Sequence, residues 1–493
     1  MPPRVAEIVY LLGILALFWF DRDKEERVSK ALWIPVFWLL INGSRPISEW
    51  LQTGPRMAEP NMVMDGSPLD ALGYAILLVL ALPVMFVRLK KVGALLRANL
   101  PIVIFFLYCG VSVIWSEYPF VALKRWTKVV ADLLMVMIVL TDNDRKAAFN
   151  GLVKRIGYVL IPVSILLIKY FPDMGRGYDQ WDGTLYNIGV GTNKNLLGMT
   201  CLIVGISIVW RFLQTWRSPK GPTRRKHLIA EGVVLGMTIY LLWISNSVTS
   251  LSCFGLASIL LVATTFFASA RRPAVINTLV ASLIGFVTFA LFFSSGGAVL
   301  ESMGRNSTLT GRTEIWQVVL GLVENPIIGS GFESFWLGEN LAKTWNLYWF
   351  HLNEAHNGYI ELFLNLGWIG ILIFATVMYT GYRDLIKSFC LDPAWAQIRL
   401  AYFVNATIYS LTEVGFRMLS PVWIFFLFSA MAIPGDWYTG TAADNASKAD
   451  PGRAVPAAGD GRIPPQPVPV PALGTRGRSV VKPLVKVHEA RRL

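Results

Sequence analysis

Histidine is scarce in this chain, with four among 493 residues, and two of the four lie together in one polar segment. His351 and His356 precede an apolar run that begins at residue 359, whereas His227 and His488 lie in basic segments. A histidine at the N-terminus of a helix feels the positive end of the helix dipole, which disfavours imidazolium. The sequence therefore predicts that His356 is neutral at pH 7, the form that a general base requires, with helix capping or packing as the open alternative.

The histidine pair is a poor metal-binding set. His351 and His356 are five residues apart, whereas two ligands on one helical face are about four apart, and no third ligand is evident. We expect no metal and no cofactor, and for His351 only a local hydrogen bond. Asn357 follows His356 directly and is expected to fix its tautomer or to hold a substrate.

Arg312 lies earlier in the same polar segment and is a candidate for binding phosphate. The run TEIWQVVLGLVENP that follows it predicts an amphipathic helix with Thr313 as its N-cap and Asn325-Pro326 as its end. Backbone N–H groups at a helix N-terminus attract anions, and a guanidinium group matches phosphate oxygens. The apolar face of this helix, with Trp316, is expected to lie at the membrane surface.

Lys194 and Asn195 lie in the sequence GTNKN, immediately before an apolar run over 196–210. Both are expected to bind substrate, although for Lys194 snorkelling at the membrane surface is equally open. Arg125 either faces the same site or anchors its helix at the membrane surface.

Three charged residues complete the candidates. Glu413 and Arg417 are four residues apart, which predicts an ion pair on one helix or its outer end. Lining a cavity and structural pairing are equally open for this pair. Glu333 is a weaker alternative for a carboxylate base.

The elements that must position these residues are membrane helices. Hydrophobic residues make up 54% of the chain and charged residues only 16%, which excludes an ordinary soluble, disordered or disulfide-rich secreted protein. Thirteen long apolar segments, rather than short alternating strands, predict an all-α polytopic membrane bundle of about 12–13 transmembrane helices.

The basic residues predict the topology. Alternate loops hold 32 of the 45 Lys and Arg residues, which places those loops in the cytoplasm. This distribution accounts for the net charge of +13 and argues against nucleic acid as a partner. Residues 1–434 are predicted to form one membrane domain with a large periplasmic loop over 294–358. The Pro-rich segment 435–493 is predicted to be a disordered cytoplasmic tail.

The motifs resemble those of a known family. His356-Asn357, followed by Gly367 and Gly370, is similar to the signature of the O-antigen ligase and O-antigen polymerase superfamily. GRTEIW (311–316) and NPIIGSGFESFW (325–336) precede it in the order that this family shows. Further upstream, NGSRPISEWL, TNKNLLG and SNSVTSLS resemble the branch that contains exopolysaccharide polymerases.

The resemblance implies a metal-independent, inverting glycosyltransferase in the inner membrane, with its active site facing the periplasm. The implied donor is a glycan on undecaprenyl diphosphate, and the implied acceptor is a sugar hydroxyl. His356 matches the family's proposed base, and Arg312 matches an arginine assigned to diphosphate binding. A second family arginine is missing from the turn SNSVTS, so Lys194 or Arg176 would have to replace it.

Two other functions stay open at this point. A ligase would use the same chemistry to move finished glycan onto a lipid A-core or other acceptor. A transporter or flippase is less favoured, because the polar residues concentrate in one loop rather than at mid-membrane depth. Membrane lipid and the chain-length and export proteins of a polysaccharide pathway are the expected partners.

Overall fold

The structure, a computed structural model, describes residues 1–22, 28–52, 66–178, 183–292, 308–348 and 350–434. The predicted tail 435–493 lies outside the described residues, as do parts of two predicted outer loops, 53–65 and 293–307.

The described chain is almost entirely helical, as the sequence predicts. In chain order the helices are α1 Pro3–Phe20, α2 Trp33–Asn42, α3 Ile47–Trp50, α4 Pro68–Val87, α5 Leu89–Ala98, α6 Leu100–Val111, α7 Pro119–Leu140, α8 Arg145–Tyr170, α9 Pro172–Gly175, α10 Lys194–Arg217, α11 Pro222–Ile244, α12 Val248–Phe266, α13 Pro273–Phe292, α14 Thr308–Gly321, α15 Gly338–Leu347, α16 Gly358–Leu391, α17 Pro393–Tyr409 and α18 Pro421–Ala430. Short 3-10 segments cover Lys30–Leu32, Ser112–Trp115 and Ala268–Arg271. One small antiparallel hairpin, β1 Arg176–Tyr178 with β2 Leu185–Asn187, lies between α9 and α10.

Eight of the described helices are long and apolar enough to cross a membrane, or nine if the bent pair α5–α6 forms one span. The thirteen predicted apolar segments all fall on described helices, but α2, α17 and α18 are short and α7 carries four charges, so these four are not among the eight. The chain is therefore a multi-pass helical membrane protein.

Burial of the spans follows their place in the bundle. In α10 and α8, 83% and 72% of the most apolar stretch is buried inside the protein, compared with 11% in α1 and α13. A helix that is apolar all round and also buried forms the core, whereas an equally apolar but exposed helix faces lipid. The central helices α8 and α10 thus support the loops described next.

Contacts between loops follow the predicted sidedness. Asp21, after α1, pairs with Arg211 of α10, and Lys146 of α8 pairs with Asp392 before α17; all four lie in segments predicted for one side. Segments predicted for the other side also meet one another, as the sites below show. The alternation of loops read from the basic residues is therefore consistent with the packing.

Helix α16 is broken at Gly367, inside a run that the sequence predicts as one continuous helix. Gly367 has φ +61°, and a Cβ there would lie 2.4 Å from the carbonyl oxygen of Ile327. The segment 326–331 runs beside the break, and its backbone hydrogen-bonds to that of 364–369, for example from Trp368 N–H to Pro326 C=O at 2.9 Å. Irregular backbone is tolerated in a membrane-spanning segment only where other parts of the protein form hydrogen bonds with its free N–H and C=O groups.

The large polar loop contains its own small hydrophobic core. Helix α14 begins at Thr308, so the predicted N-cap at Thr313 is wrong. Its apolar side is buried against α15 and the start of α16, and the indole N–H of Trp316 donates to the carbonyl of Ala355 at 2.8 Å. The expectation that Trp316 anchors the helix at the lipid surface is therefore wrong, because the loop itself covers this face.

Candidate active site

His356 lies in the turn that leads into α16, with two carboxylates beside its ring. Its Nδ1 is 2.9 Å from Oε1 of Glu354 and 3.6 Å from Oε2 of Glu413. Its backbone has φ +51°, a left-handed conformation that costs energy for a residue other than glycine. Its Nδ1 is shielded from water, and its contacts with the two carboxylates are ion pairs rather than aligned hydrogen bonds.

The prediction that His356 is neutral at pH 7 is wrong for this arrangement. Burial lowers the pKa of the imidazole, but the close carboxylates of Glu354 and Glu413 outweigh burial and raise this pKa to about 10. For Glu354 burial acts in the opposite sense, and contact with His356 together with nearby arginine charges lowers its pKa to about 2. The sequence argument failed because it weighed the helix dipole and not the carboxylates.

Arg312 reaches the same cluster. Its Nη2 lies 3.1 Å from Oε1 of Glu413, and its Nη1 donates to the carbonyl of Thr412. Because α14 begins at Thr308, Arg312 lies beyond the free N–H groups of the first turn, and the predicted combination of arginine with a helix N-terminus is wrong. The structure nevertheless brings together the two residues predicted to be catalytic, His356 and Arg312, on one carboxylate.

Arg417 belongs to a second set of ion pairs in this cluster. Helix α17 ends at Tyr409, so Glu413 and Arg417 are not on one helix and the predicted pair between them does not form. Instead, Arg417 Nη1 lies 3.5 Å from Glu354, and its Nε lies 3.7 Å from Glu333. Glu333, the weaker candidate base, is thus held by an arginine and also has a left-handed backbone, with φ +51°.

A cavity of about 500 Å³ opens beside these charges. Glu354, Glu413 and Arg417 line it together with the N-terminus of α10 and parts of α2, α4 and the segment before α18. A volume of this size accommodates a small-molecule group such as a sugar, with polar side chains to orient it.

Asn195 is in this site, whereas Lys194 lies at its edge. Asn195 lines the cavity, and its Nδ2 donates to Oε2 of Glu413 at 3.4 Å. Asn193 caps α10 by accepting the N–H of Leu196, and Lys194, one residue further, lies over the ring of Tyr186 at 5.3 Å. Lys194 is not among the cavity-lining residues, so its contact with phosphate remains a prediction.

Asn357 has a structural role, and its contact with substrate remains a prediction. It is the N-cap of α16, since its Oδ1 accepts from Tyr359 and Ile360 N–H, and its Nδ2 donates to the carbonyl of Leu411. The side chain is buried, so it holds the His356 turn and the loop after α17 together. His351 makes local contacts, with its ring centroid 4.5 Å from that of Trp345 and the two rings tilted by 31°.

The two remaining predicted residues differ in their position. Arg125 of α7 donates to the carbonyl of Glu333, which places it behind the charge cluster and supports that loop. Arg176 of β1 donates from Nε to the carbonyl of Ile168 at 3.0 Å and does not line the cavity. The structure therefore does not bring Arg176 to the site as a replacement for the missing arginine.

Glu354, His356 and Glu413 form the one group within the described residues whose ligand atoms, all within 4.8 Å of one another, could hold a metal ion. Both carboxylates, however, already pair with guanidinium groups, Glu354 with Arg417 and Glu413 with Arg312. Two guanidinium groups beside a divalent ion would repel it, so we interpret the cluster as an ion-pair network.

Sequence reasoning missed Glu354 entirely, and for Glu413 it left cavity lining and structural pairing equally open; the structure places Glu413 in the cavity wall. The spacing Glu-x-His, with Glu354 two residues before His356, was the available signal in the sequence. The contact with Glu413 had no local signal, because Glu413 follows a different helix.

This fold and site define a class: a multi-pass helical membrane protein with a charged cavity where its large polar loop meets the bundle, and with a histidine beside the carboxylates of that cavity. A family model described as O-antigen ligase matches residues 190–375, which include Asn195, Arg312 and His356. The exopolysaccharide production protein ExoQ of Rhizobium meliloti (strain 1021) is 25% identical over 362 residues, which cover 69% of this chain and 77% of that protein. These matches confirm the resemblance to the O-antigen ligase and polymerase-like family predicted from the motifs.

Proposed function

We propose that this protein joins oligosaccharide units carried on undecaprenyl diphosphate into an exopolysaccharide or O-antigen-type polysaccharide, by metal-independent inverting glycosyl transfer. One observation carries the proposal. His356 and Arg312, the two residues that the motifs single out, meet on the Glu413 carboxylate in the wall of a cavity of about 500 Å³. The similarity to an exopolysaccharide production protein supports the same reaction class.

His356 would take the proton of the acceptor hydroxyl. Its Nδ1 faces the carboxylates, which fix the ring, and the opposite nitrogen, Nε2, would take the proton. The acceptor oxygen attacks the anomeric carbon, the bond from that carbon to the diphosphate oxygen breaks, and the proton moves to Nε2. The same carboxylates then stabilise the imidazolium, as the aspartate does in a catalytic triad.

The high pKa of His356 makes the neutral form a minor species at pH 7. With a pKa of about 10, roughly one molecule in 10³ carries a neutral ring at that pH. A base of this kind is strong but scarce, so the rate of transfer depends steeply on pH.

Arg312 would stabilise the leaving diphosphate. Its guanidinium can bind two oxygens of one phosphate, and in the resting structure Glu413 and the carbonyl of Thr412 occupy it. Neutralising the charge that develops on a leaving group is usually the largest part of such catalysis. Lys194, near the mouth of the cavity, would add a second cation.

The proposed orientation follows the basic loops, with the cavity towards the periplasm and residues 435–493 in the cytoplasm. The undecaprenyl-diphosphate-linked donor would enter from the bilayer, and chain-length and export proteins would act on the product. The description of the family model favours one alternative, a ligase that transfers finished glycan to a lipid A-core or other acceptor.

The test is transfer by the purified chain in nanodiscs. The donor is the lipid-diphosphate-linked oligosaccharide extracted from a strain that lacks this protein. Wild type should release undecaprenyl diphosphate and form chains of several repeat units, whereas His356→Ala and Arg312→Ala at equal protein level should not. Transfer of one glycan only, and only when lipid A-core is added, would instead establish the ligase. No transfer in either assay would overturn the proposal.

A further inference from the structure

Helix α5 lies between two membrane helices and runs across them. It follows α4 directly, and it is bent by 92° from the next membrane helix, Leu100–Trp115. A helix at right angles to its membrane-spanning neighbour runs along the membrane surface rather than through the bilayer. The ten residues of α5, LKKVGALLRA, contain three basic side chains and no acidic one. A short basic helix is thus held at the surface of the membrane.

This surface is the one away from the candidate active site. Arg88, between α4 and α5, pairs with Asp142 at 3.1 Å, and Nδ2 of Asn99, directly after α5, donates to the carbonyl of Ala432 at 2.8 Å. Asp142 and Ala432 lie just beyond the C-termini of α7 and α18, whereas the N-terminal parts of the same two helices lie at the candidate active site. Helix α5 is therefore fixed at the opposite end of the bundle, which the basic loops predict to be cytoplasmic.

The buried face of α5 determines where its other side chains point. Val92 and Leu95 are buried in the bundle. With about 100° per residue, Lys90 and Arg97 lie on the opposite face of the helix, and Leu89 lies on the flank between the two faces. Leu89 is 62% exposed. Lys90 and Arg97 therefore point away from the protein, beside an apolar flank.

Neither Lys90 nor Arg97 has an acidic partner. Both are exposed, and neither forms an ion pair with any residue that the structure describes. Lys91, by contrast, donates to Oδ1 of Asn143 at 2.9 Å. The guanidinium of Arg97 bends back along the helix towards Lys90, because its Nε donates to the carbonyl of Gly93 at 3.1 Å. The two cations thus lie two turns apart with Gly93, which has no side chain, between them.

The surroundings of these two cations are apolar. Phe86 and Val87, at the end of α4, are 72% and 87% exposed, and Leu100, at the start of α6, is 56% exposed. Large exposed apolar side chains beside basic ones match a lipid, whose acyl chains and charged headgroup bind side by side. A soluble anion would contact the cations and leave the apolar residues in water, so the arrangement favours a lipid.

We propose that Lys90 and Arg97 bind the phosphate of an anionic phospholipid, whose acyl chains lie against Leu89 and the exposed ends of α4 and α6. An ammonium and a guanidinium attract a headgroup of net negative charge, whereas the positive group of a zwitterionic headgroup cancels most of this attraction. The inference goes beyond the proposed function, because this lipid binds at the end of the bundle away from the active site and takes no part in glycosyl transfer.

The experiment is a lipid titration of the full chain in detergent, read by native mass spectrometry. The probes are phosphatidylglycerol and phosphatidylcholine with identical acyl chains, which differ in net charge. The first phosphatidylglycerol should bind wild type about 20-fold more tightly than phosphatidylcholine, since each cation near a membrane surface contributes about fivefold. The double variant Lys90→Gln, Arg97→Gln should lose this preference, and each single variant should reduce it to about fivefold.

The double variant Arg383→Gln, Lys387→Gln is the matched control. Both residues are exposed near the C-terminal end of α16, on the side predicted to be cytoplasmic, but both pair with Asp384. This variant loses the same two positive charges and should keep the preference for phosphatidylglycerol within about twofold of wild type. All four side chains are exposed, so both double variants should fold, which equal thermal midpoints would verify.

Three results would overturn the proposal. The first is equal affinity of wild type for the two lipids. The second is a preference for phosphatidylglycerol that the Lys90→Gln, Arg97→Gln variant keeps, because the anionic lipid would then bind at other residues. The third is an equal loss of preference in this variant and in the control, which would reflect the net charge of the protein rather than a site on α5.

Discussion

Arg312 and His356 contact opposite oxygens of one carboxylate: Oε1 of Glu413 lies 3.1 Å from Nη2 of Arg312, and Oε2 lies 3.6 Å from Nδ1 of His356. Glu413 therefore connects the residue proposed to stabilise the leaving group with the residue proposed to activate the acceptor. The buried carboxylate is a positioning residue in this account, since Arg312 and His356 act on the substrates themselves.

Replacement of Glu413 by glutamine tests this connection. Glu413→Gln keeps the shape of the side chain but removes its charge, so Arg312 and His356 lose their common partner. We expect the transfer rate, divided by the fraction of His356 that is neutral, to fall about 10²-fold, at the lower end of what a positioned acid or base contributes. Because one of the two carboxylates that raise the pKa of His356 is gone, the pH–rate profile should also shift to lower pH. Steady-state rates from pH 6.5 to 9 would measure both effects.

Glu339→Gln is the control for that variant, because Glu339 is exposed on α15 and pairs only with Lys343 on the surface. It should leave the rate and the pH profile unchanged. The loss in Glu413→Gln combined with His356→Ala should be smaller than the product of the two single losses, since residues that act as a unit are not additive. Independent, multiplicative losses would show that Glu413 does not act through His356.

The pH dependence of wild type follows from the pKa of His356. A base acts in its neutral form, and below a pKa of about 10 the neutral fraction rises tenfold for each pH unit. We therefore expect the initial rate at saturating substrate to increase steadily from pH 7 to pH 9. A rate that is flat over this range, or that falls, would mean that the imidazolium form is the active one.

Removal of metal ions should leave activity unchanged. The carboxylates of Glu354 and Glu413 are engaged by arginines, so the charge near the diphosphate is supplied by guanidinium groups. Dialysis against EDTA, followed by the nanodisc transfer assay, would check this. Loss of transfer that Mg²⁺ or Mn²⁺ restores would reassign Glu354, His356 and Glu413 as metal ligands.

Gly367 should tolerate no side chain. Gly367→Ala places a Cβ against the carbonyl of Ile327 at a left-handed backbone position, and we expect a destabilisation of about 1–3 kcal/mol. The thermal midpoint of the detergent-solubilised protein would measure it. Gly285→Ala, in α13 with open space around the glycine, should be neutral or slightly stabilising. Equal midpoints for the two variants would contradict the close packing at the break in α16.

The helices were predictable because their apolar runs are long. The distribution of basic residues predicted which loops lie on the same side of the membrane and can therefore contact one another. The break at Gly367 was not, because it lies inside a continuous apolar run and depends on a segment from elsewhere in the chain. The charge state of His356 was predictable only in part. It depends on Glu354, whose place two residues before His356 was an available signal, and on Glu413, which follows a separate helix and had no local signal.

The prediction for Arg312 was half correct for a physical reason. Its type and motif place it at the site, where it contacts Glu413. Its position on α14 was misjudged, because the helix continues upstream of Thr313 to Thr308 without a strong start signal in the sequence.

The central claim is tested most directly by polysaccharide chain length in a deletion strain that carries wild type or His356→Ala, with membrane levels of both proteins measured. The account predicts long chains with wild type. With His356→Ala at normal level it predicts only single lipid-linked repeat units. Chains of normal length with His356→Ala would contradict the claim that this histidine activates the acceptor.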